Sequence, residues 1–109
     1  MLERSFTAEY TDEALQQLEQ LDDIEYEKIT KAIYIFEHVG TRYKNINDLG
    51  DGLFELKPDN VRAYFKYVKG KIIIIGFIVL KKTQKAPKRY IKQANKNIDM
   101  YLEKDKELH

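Results

Sequence analysis

One segment constrains this chain more than any other: Ile72 to Leu80 is nine residues long and carries no polar side chain. A membrane-spanning helix needs ~20 such residues, so the run reads as a buried strand, and no membrane partner is expected. Two further strand-like segments precede it, Leu53–Leu56 and Val61–Val68. Lys57-Pro58-Asp59-Asn60 joins this first pair, with proline at the position a type I turn favours. Lys69-Gly70 reads as the hairpin turn into the apolar run.

The remaining elements follow from periodicity. Leu2 to Tyr10 alternates apolar and polar side chains, the period-2 signature of a strand. Thr11 or Asp12 then caps a helix whose apolar face holds Ala14, Leu15 and Leu18 and extends towards Leu21. A second helix starts at Asp22 or Asp23, carries Ile29, Ala32, Ile33, Phe36 and Val39 on one stripe, and stops at Gly40. Thr41 to Gly52 reads as a polar loop, broken by Asn45, Asn47, Asp48, Gly50, Asp51 and Gly52. Pro87 opens a last amphipathic helix with Ile91, Ala94, Ile98, Tyr101 and Leu102 on its apolar stripe. The order β-α-α-β-β-β-α predicts an α+β fold: a mainly antiparallel sheet, a helical hairpin and a C-terminal helix. Residues 1–109 are expected to form one domain.

With 43% hydrophobic and 34% charged residues, the composition is that of a folded globule. The first ten residues hold Glu3, Arg4 and Glu9 and no apolar signal core, so the cytoplasm is the expected compartment. Cysteine is absent, which removes disulfides, thiolate metal sites and thiol catalysis. The two histidines, His38 and His109, lie far apart, so no metal cofactor and no paired-histidine nuclease site are expected. His38, near a helix end, reads as structural or exposed. The formal net charge of +1 hides a segregation: residues 1–56 hold 5 basic and 13 acidic side chains, residues 57–96 hold 12 and one. Such a basic block is an electrostatic footprint for a polyanion, or else a solvated surface with no ligand.

Burial sets the faces of the sheet. Pairing Leu56 with Val61 gathers Phe54, Leu56, Val61, Ala63, Phe65 and Tyr67 on one face, against the helical hairpin. The opposite face carries Glu55, Arg62, Tyr64 and Lys66, with Lys57 at its edge. Pairing Val68 with Lys71 places Tyr64 opposite Ile75 and Arg62 opposite Phe77, so that Ile73, Ile75 and Phe77 form an apolar strip on this second face. A cationic, tyrosine-bearing surface suits unpaired RNA: Arg and Lys hold phosphates, and each base stacked on a phenol contributes roughly 1–3 kcal/mol. The plainer arrangement lays the C-terminal helix over the apolar strip and leaves the charges at the rim. An intermediate one leaves a cleft.

Two passages carry more. GLFELKPDNVRAYF (Gly52–Phe65) and LKKTQKAP (Leu80–Pro87), the latter followed by Lys88-Arg89-Tyr90-Ile91-Lys92-Gln93-Ala94, resemble the phage-derived HigB branch of the RelE/ParE toxin superfamily. The resemblance implies a type II toxin with a cognate antitoxin, often a helix-turn-helix DNA-binding protein. It further implies a ribosome-dependent endonuclease that cleaves messenger RNA to a 2′,3′-cyclic phosphate without a cofactor. Carried over by position, Arg62 matches the strand arginine, Lys81 and Lys82 the paired lysines, and Lys57 the basic residue after "FEL". Tyr64, Lys66, Lys85, Lys88, Arg89 and Tyr90 are the candidate RNA contacts. Many relatives have a histidine where this chain has Phe77, so a mechanism that needs it does not transfer. The ParE branch, a gyrase poison of similar architecture, and a noncatalytic RNA- or antitoxin-binding module are the competing functions.

Cleavage by the 2′-hydroxyl needs a proton acceptor, a stabiliser of the charged phosphorane and a proton donor for the leaving 5′-oxygen. Arg62 is no base, but its planar fork suits a phosphate gaining charge. Lysines crowded by other cations lose a proton more readily, which makes Lys57, Lys81 or Lys82 the candidate base. Tyr64 and Tyr90 are available as donors. Glu55 is the alternative base, although a carboxylate repels phosphate. Its plainer role is an ion pair with Arg62 across the hairpin, of little energetic weight if exposed.

Overall fold

The computed structural model describes residues 4–81 and 85–108. Its elements run β1 (Thr7–Tyr10), α1 (Asp12–Glu19), α2 (Asp23–Val39), β2 (Ile46–Gly50), β3 (Leu53–Leu56), β4 (Val61–Val68), β5 (Ile72–Leu80) and α3 (Lys88–Leu108), with one 3₁₀ turn at Gly40–Arg42. The α+β architecture expected from the sequence is present, and three strands keep the predicted bounds. The sheet order is β1-β5-β4-β3-β2, with β1 parallel to β5 and every other pair antiparallel.

Both helix starts follow capping chemistry. Thr11 Oγ1 accepts from the Ala14 amide at 3.2 Å, and Asp22 Oδ1 accepts from the Glu25 amide at 3.0 Å. Gly40 ends α2 at φ 60°, where its Cβ-free backbone lies against Phe6. The amides of Ser5 and Phe6 bond the Glu37 carbonyl, so among the described residues strand pairing begins at Thr7, and Leu2 and Glu3 of the expected strand lie outside the described residues.

The predicted polar loop is partly wrong, because β2 lies within it. Asp51 and Gly52 both take positive φ, 53° and 82°, the pattern of a type I′ turn that closes β2 onto β3. An Asp-Gly pair is itself a hairpin signal. The β3–β4 connection also departs from expectation: Asp59 has φ 56°, whereas a type I turn needs a negative value there. Leu56 consequently pairs with Ala63 rather than Val61, a two-residue shift that preserves the faces.

The β4–β5 connection uses three residues rather than two, with Val68 opposite Ile72. One extra loop residue reverses the parity of the following strand. Ile73 and Ile75 therefore face the helical hairpin, with Leu56, Val61, Ala63 and Phe65, and not the second face as expected. A bulge at Gly76 restores the predicted side for Phe77, which lies opposite Tyr64. The second face is then Leu53, Tyr64, Ile74 and Phe77 packed under Ala94 and Ile98 of α3. The result is three layers: hairpin, sheet and C-terminal helix.

Gly76 lets these layers close. A Cβ there would lie 2.7 Å from the Ala94 carbonyl oxygen and 2.7 Å from Ile98 Cγ1. The bulge takes β5 groups out of the ladder, and side chains satisfy them. Gly76 O accepts from Thr11 Oγ1 (3.2 Å) and Asn97 Nδ2 (2.8 Å), and the Ile78 amide donates to Gln17 Oε1 at 2.8 Å.

Candidate functional site

The strand ends remote from the β4–β5 turn assemble a charged cluster around Glu55. This glutamate sits mid-strand in β3, on the face that α3 covers further along, and is fully buried. β2 supplies its first partner: Asn47, directly opposite in the register, donates Nδ2 to Glu55 Oε1 at 3.0 Å. β4 supplies the second: Arg62 Nε lies 3.8 Å from Glu55 Oε2. Lys81, just past β5, places Nζ 3.8 Å from the same oxygen. The Lys81 amide also donates to the Asn60 carbonyl at 2.8 Å, which ties this lysine to the β3–β4 turn.

Arg62 is held from both sides. Its Nη1 donates to the carbonyls of Asp59 and Val61, the latter at 3.0 Å. Asp59 is anchored in turn by Lys28 of α2, whose ammonium holds the exposed Asp59 carboxyl below its ordinary value. The left-handed turn thus presents its carbonyl to the guanidinium. Only 14% of the Arg62 side chain and 4% of the Lys81 side chain are accessible, so two cations and one carboxylate share a largely water-free site. A lone buried charge would be costly; pairing makes this group tolerable.

Tyr64 stands opposite Glu55 and is fully buried. Burial first, and the Glu55 carboxylate second, push its phenol well above the ordinary tyrosine range. Its ring was expected to stack on a base, but α3 lies over it, and it stacks instead on Phe77 at 6.2 Å. Phe77 in turn meets Tyr90 at 5.2 Å, and the Arg89 guanidinium lies 4.9 Å over the Tyr90 ring. A path of rings therefore runs from the buried Tyr64 to a half-buried tyrosine under an exposed arginine at the start of α3.

Of the sequence-predicted site residues, the structure brings Arg62, Lys81 and Tyr64 together. Lys57 follows Leu56 and is half-buried, its amide bonded to the Asn45 carbonyl at 2.9 Å. Lys66 is half-buried on β4, and Lys85, Lys88 and Arg89 are exposed. Lys82 lies outside the described residues. Sequence reasoning missed Asn47, because β2 was read as loop; the Asp51-Gly52 pair was the signal. It also ranked Glu55 low. An acid set in the otherwise apolar Leu53–Leu56 strand, facing Arg62 and Tyr64, is a stronger sign than it was taken to be. A cleft of about 370 Å³ between α1 and α3, lined by Thr11, Asp12, Glu13, Asn97, Met100, Tyr101 and Lys104, shares no residue with this cluster.

The layered fold with a five-stranded sheet is that of RelE-like proteins. A chain of the RelBE2 toxin–antitoxin complex from Mycobacterium tuberculosis superposes with a TM-score of 0.61 at 14% identity, covering 70% of this chain and 98% of that one. A chain of the archaeal RelE–RelB complex from Pyrococcus horikoshii gives 0.60 at 18% identity, covering 72% and 97%. The isolated Escherichia coli RelE toxin gives 0.58 at 11% identity, covering 84% and 97%. No curated protein matches the sequence. The chain belongs to the family described as phage-derived protein Gp49-like, whose profile matches residues 16–99. No helix among the described residues is long and apolar enough to cross a membrane.

Proposed function

We propose that this protein is the toxin of a type II toxin–antitoxin pair and acts as a ribosome-dependent messenger RNA endonuclease without a metal cofactor. The observation that carries the reading is the convergence of Arg62 and Lys81, from adjacent strands, on one carboxylate oxygen at 3.8 Å each. Two fixed cations at this spacing suit a phosphodiester whose charge rises in the transition state. Lys57, Lys85, Lys88 and Arg89, with Lys66 further along β4, supply a cationic approach for the strand backbone, and Lys82 follows Lys81 in the sequence as the second of the lysine pair. Tyr90, with Arg89 over its ring, offers the flat surface on which an unpaired base stacks. The solved relatives include two toxin–antitoxin complexes, which supports a cognate antitoxin as the protein partner.

In this reading Arg62 stabilises the phosphorane with its planar fork, held in place by the Asp59 and Val61 carbonyls. Lys81, an ammonium beside a carboxylate, serves as donor to the leaving 5′-oxygen. One observation favours a noncatalytic binding role instead: Arg62 and Lys81 are nearly buried and already face Glu55. The test is brief expression followed by mapping of RNA ends on translated and untranslated messages. The endonuclease gives cuts confined to translated codons, reduced about 100-fold or more by Arg62→Ala. Intact messages overturn the reading, and intact messages with broken DNA point to gyrase.

A further inference from the structure

The outer face of α3 breaks two local rules that the other helices obey. A helix N-terminus carries partial positive charge and favours acids. α1 opens with Asp12 and Glu13, and α2 with Asp23 and Glu25. α3 has no acid in its first turn and opens instead with Lys88 and Arg89. The second rule is one of spacing: like charges four residues apart repel on a helix surface. Lys88, Lys92 and Lys96 follow one another at that spacing, and all three are exposed. None of the ion pairs among the described residues involves any of them. The flanking acids in the sequence are Asp59 and Asp99, so residues 60–98 hold none. An ordinary solvated face mixes both signs, and a row that costs stability on two counts points to a ligand.

The chemistry of the row names that ligand. Its cations stand about 6 Å apart and span about 12 Å of helix, a spacing comparable with that of successive phosphates on a nucleic-acid strand. The rings of α3 lie on the other side: Tyr90 and Tyr101 are half-buried and pack with Ile91, Ala94, Ile98 and Leu102 against the sheet. Proteins that hold single strands combine their cations with aromatic platforms for the bases. A row of cations without a ring offers contact to phosphates alone. That suits base-paired RNA, whose bases are already stacked and whose backbone is fixed. We propose that the outer face of α3, through Lys88, Lys92 and Lys96, docks on the phosphate backbone of double-helical RNA, apart from the unpaired strand at the Arg62–Lys81 site. Only the RNA partner is taken from the reading above; cleavage is not required.

The experiment follows binding of a short labelled RNA duplex by fluorescence anisotropy across a salt series, with wild type, the double variant Lys92→Gln/Lys96→Gln, and Lys92→Glu. The double variant is expected to bind about 10-fold or more weakly at about 50 mM salt, and to flatten the slope of log K against log salt by about 2. Lys92→Glu removes the repulsion with both neighbours and sets an acid near the helix start. It is therefore expected to bind weakly yet to melt about 4 °C higher than wild type. Weaker binding by a firmer fold separates a docking row from mere loss of structure. One strand of the duplex, tested alone, should lose less affinity in the double variant than the duplex does. A wild type that does not bind the duplex overturns the proposal, as does a double variant with unchanged affinity and slope, or an equal loss for duplex and single strand. Tighter binding of a DNA duplex of the same sequence overturns it too, and so does binding of poly-L-glutamate without RNA, which marks an acidic protein as the partner. If messages stay whole in cells while the duplex binds as expected, the endonuclease reading fails and the docking face stands.

Discussion

Replacing Gly76 by alanine tests the packing that roofs the site, and it has a sign that simple propensity gets wrong. In a strand, glycine to alanine ordinarily stabilises by about 0.4–1 kcal/mol, because the unfolded chain loses freedom. Here the added methyl would lie 2.7 Å from a backbone oxygen of α3 and 2.7 Å from Ile98 Cγ1. The oxygen belongs to a helix and cannot rotate away, so α3 must retreat by about 0.7 Å to reach the 3.4 Å of ordinary contact. Overpacking of this kind costs about 1–3 kcal/mol. The same retreat loosens the Asn97 bond to the Gly76 carbonyl, worth about 1 kcal/mol. The net loss is about 2 kcal/mol, which for a domain of this size lowers Tm by about 8–16 °C. Thermal and urea denaturation followed by circular dichroism measure it, and faster amide exchange in α3 than in β4 would locate it. A Tm within about 2 °C of wild type, or above it, refutes the argument that close approach fixes this glycine.

Two other perturbations probe separate links. Gly52→Ala puts a side chain at φ 82° in open space, so its cost of about 1 kcal/mol is purely conformational; urea denaturation reads it, and no change would mean that the turn is not held left-handed. Tyr10 is pushed up to about 12 by burial first, then by Glu37 and Tyr26. A raised folded value means its contribution is complete below the unfolded value of 10.0 and is lost as pH climbs towards about 12. Wild type should therefore lose stability across that alkaline window, and Tyr10→Phe should lose less; parallel curves for the two proteins refute the assignment.

What the sequence disclosed and what it concealed divide along physical lines. Apart from β2, hidden in a polar run, strand and helix identities were legible because period and capping act locally: Thr11, Asp22 and Gly40 do at the helix ends what their side chains, or the lack of one, dictate. The side of β5 was not legible, because it depends on counting residues through a turn. Lys71 joins the loop with φ 60°, a conformation uncommon outside glycine, and so shifts the strand by one. The bulge at Gly76 then corrects half of the error. Neither event leaves a periodicity signal. Tyr64 shows the same limit in the third dimension: alternation assigned its face, but not the helix that would lie on it.

Segment charge sums also mislead at the site, and the reason bears on function. Glu55 counts among the acids of residues 1–56, yet its carboxylate belongs spatially to the basic block, between Arg62 and Lys81. A buried carboxylate bordered by two cations leaves the local charge at one positive unit, enough to favour an anion and small enough to be buried. The same carboxylate orders both cations by acting on one oxygen. A site built only from lysines and an arginine would repel itself apart or stay solvated. The mid-strand acid is thus what permits cationic groups to be fixed in a nearly dry place, where electrostatic interactions are strongest.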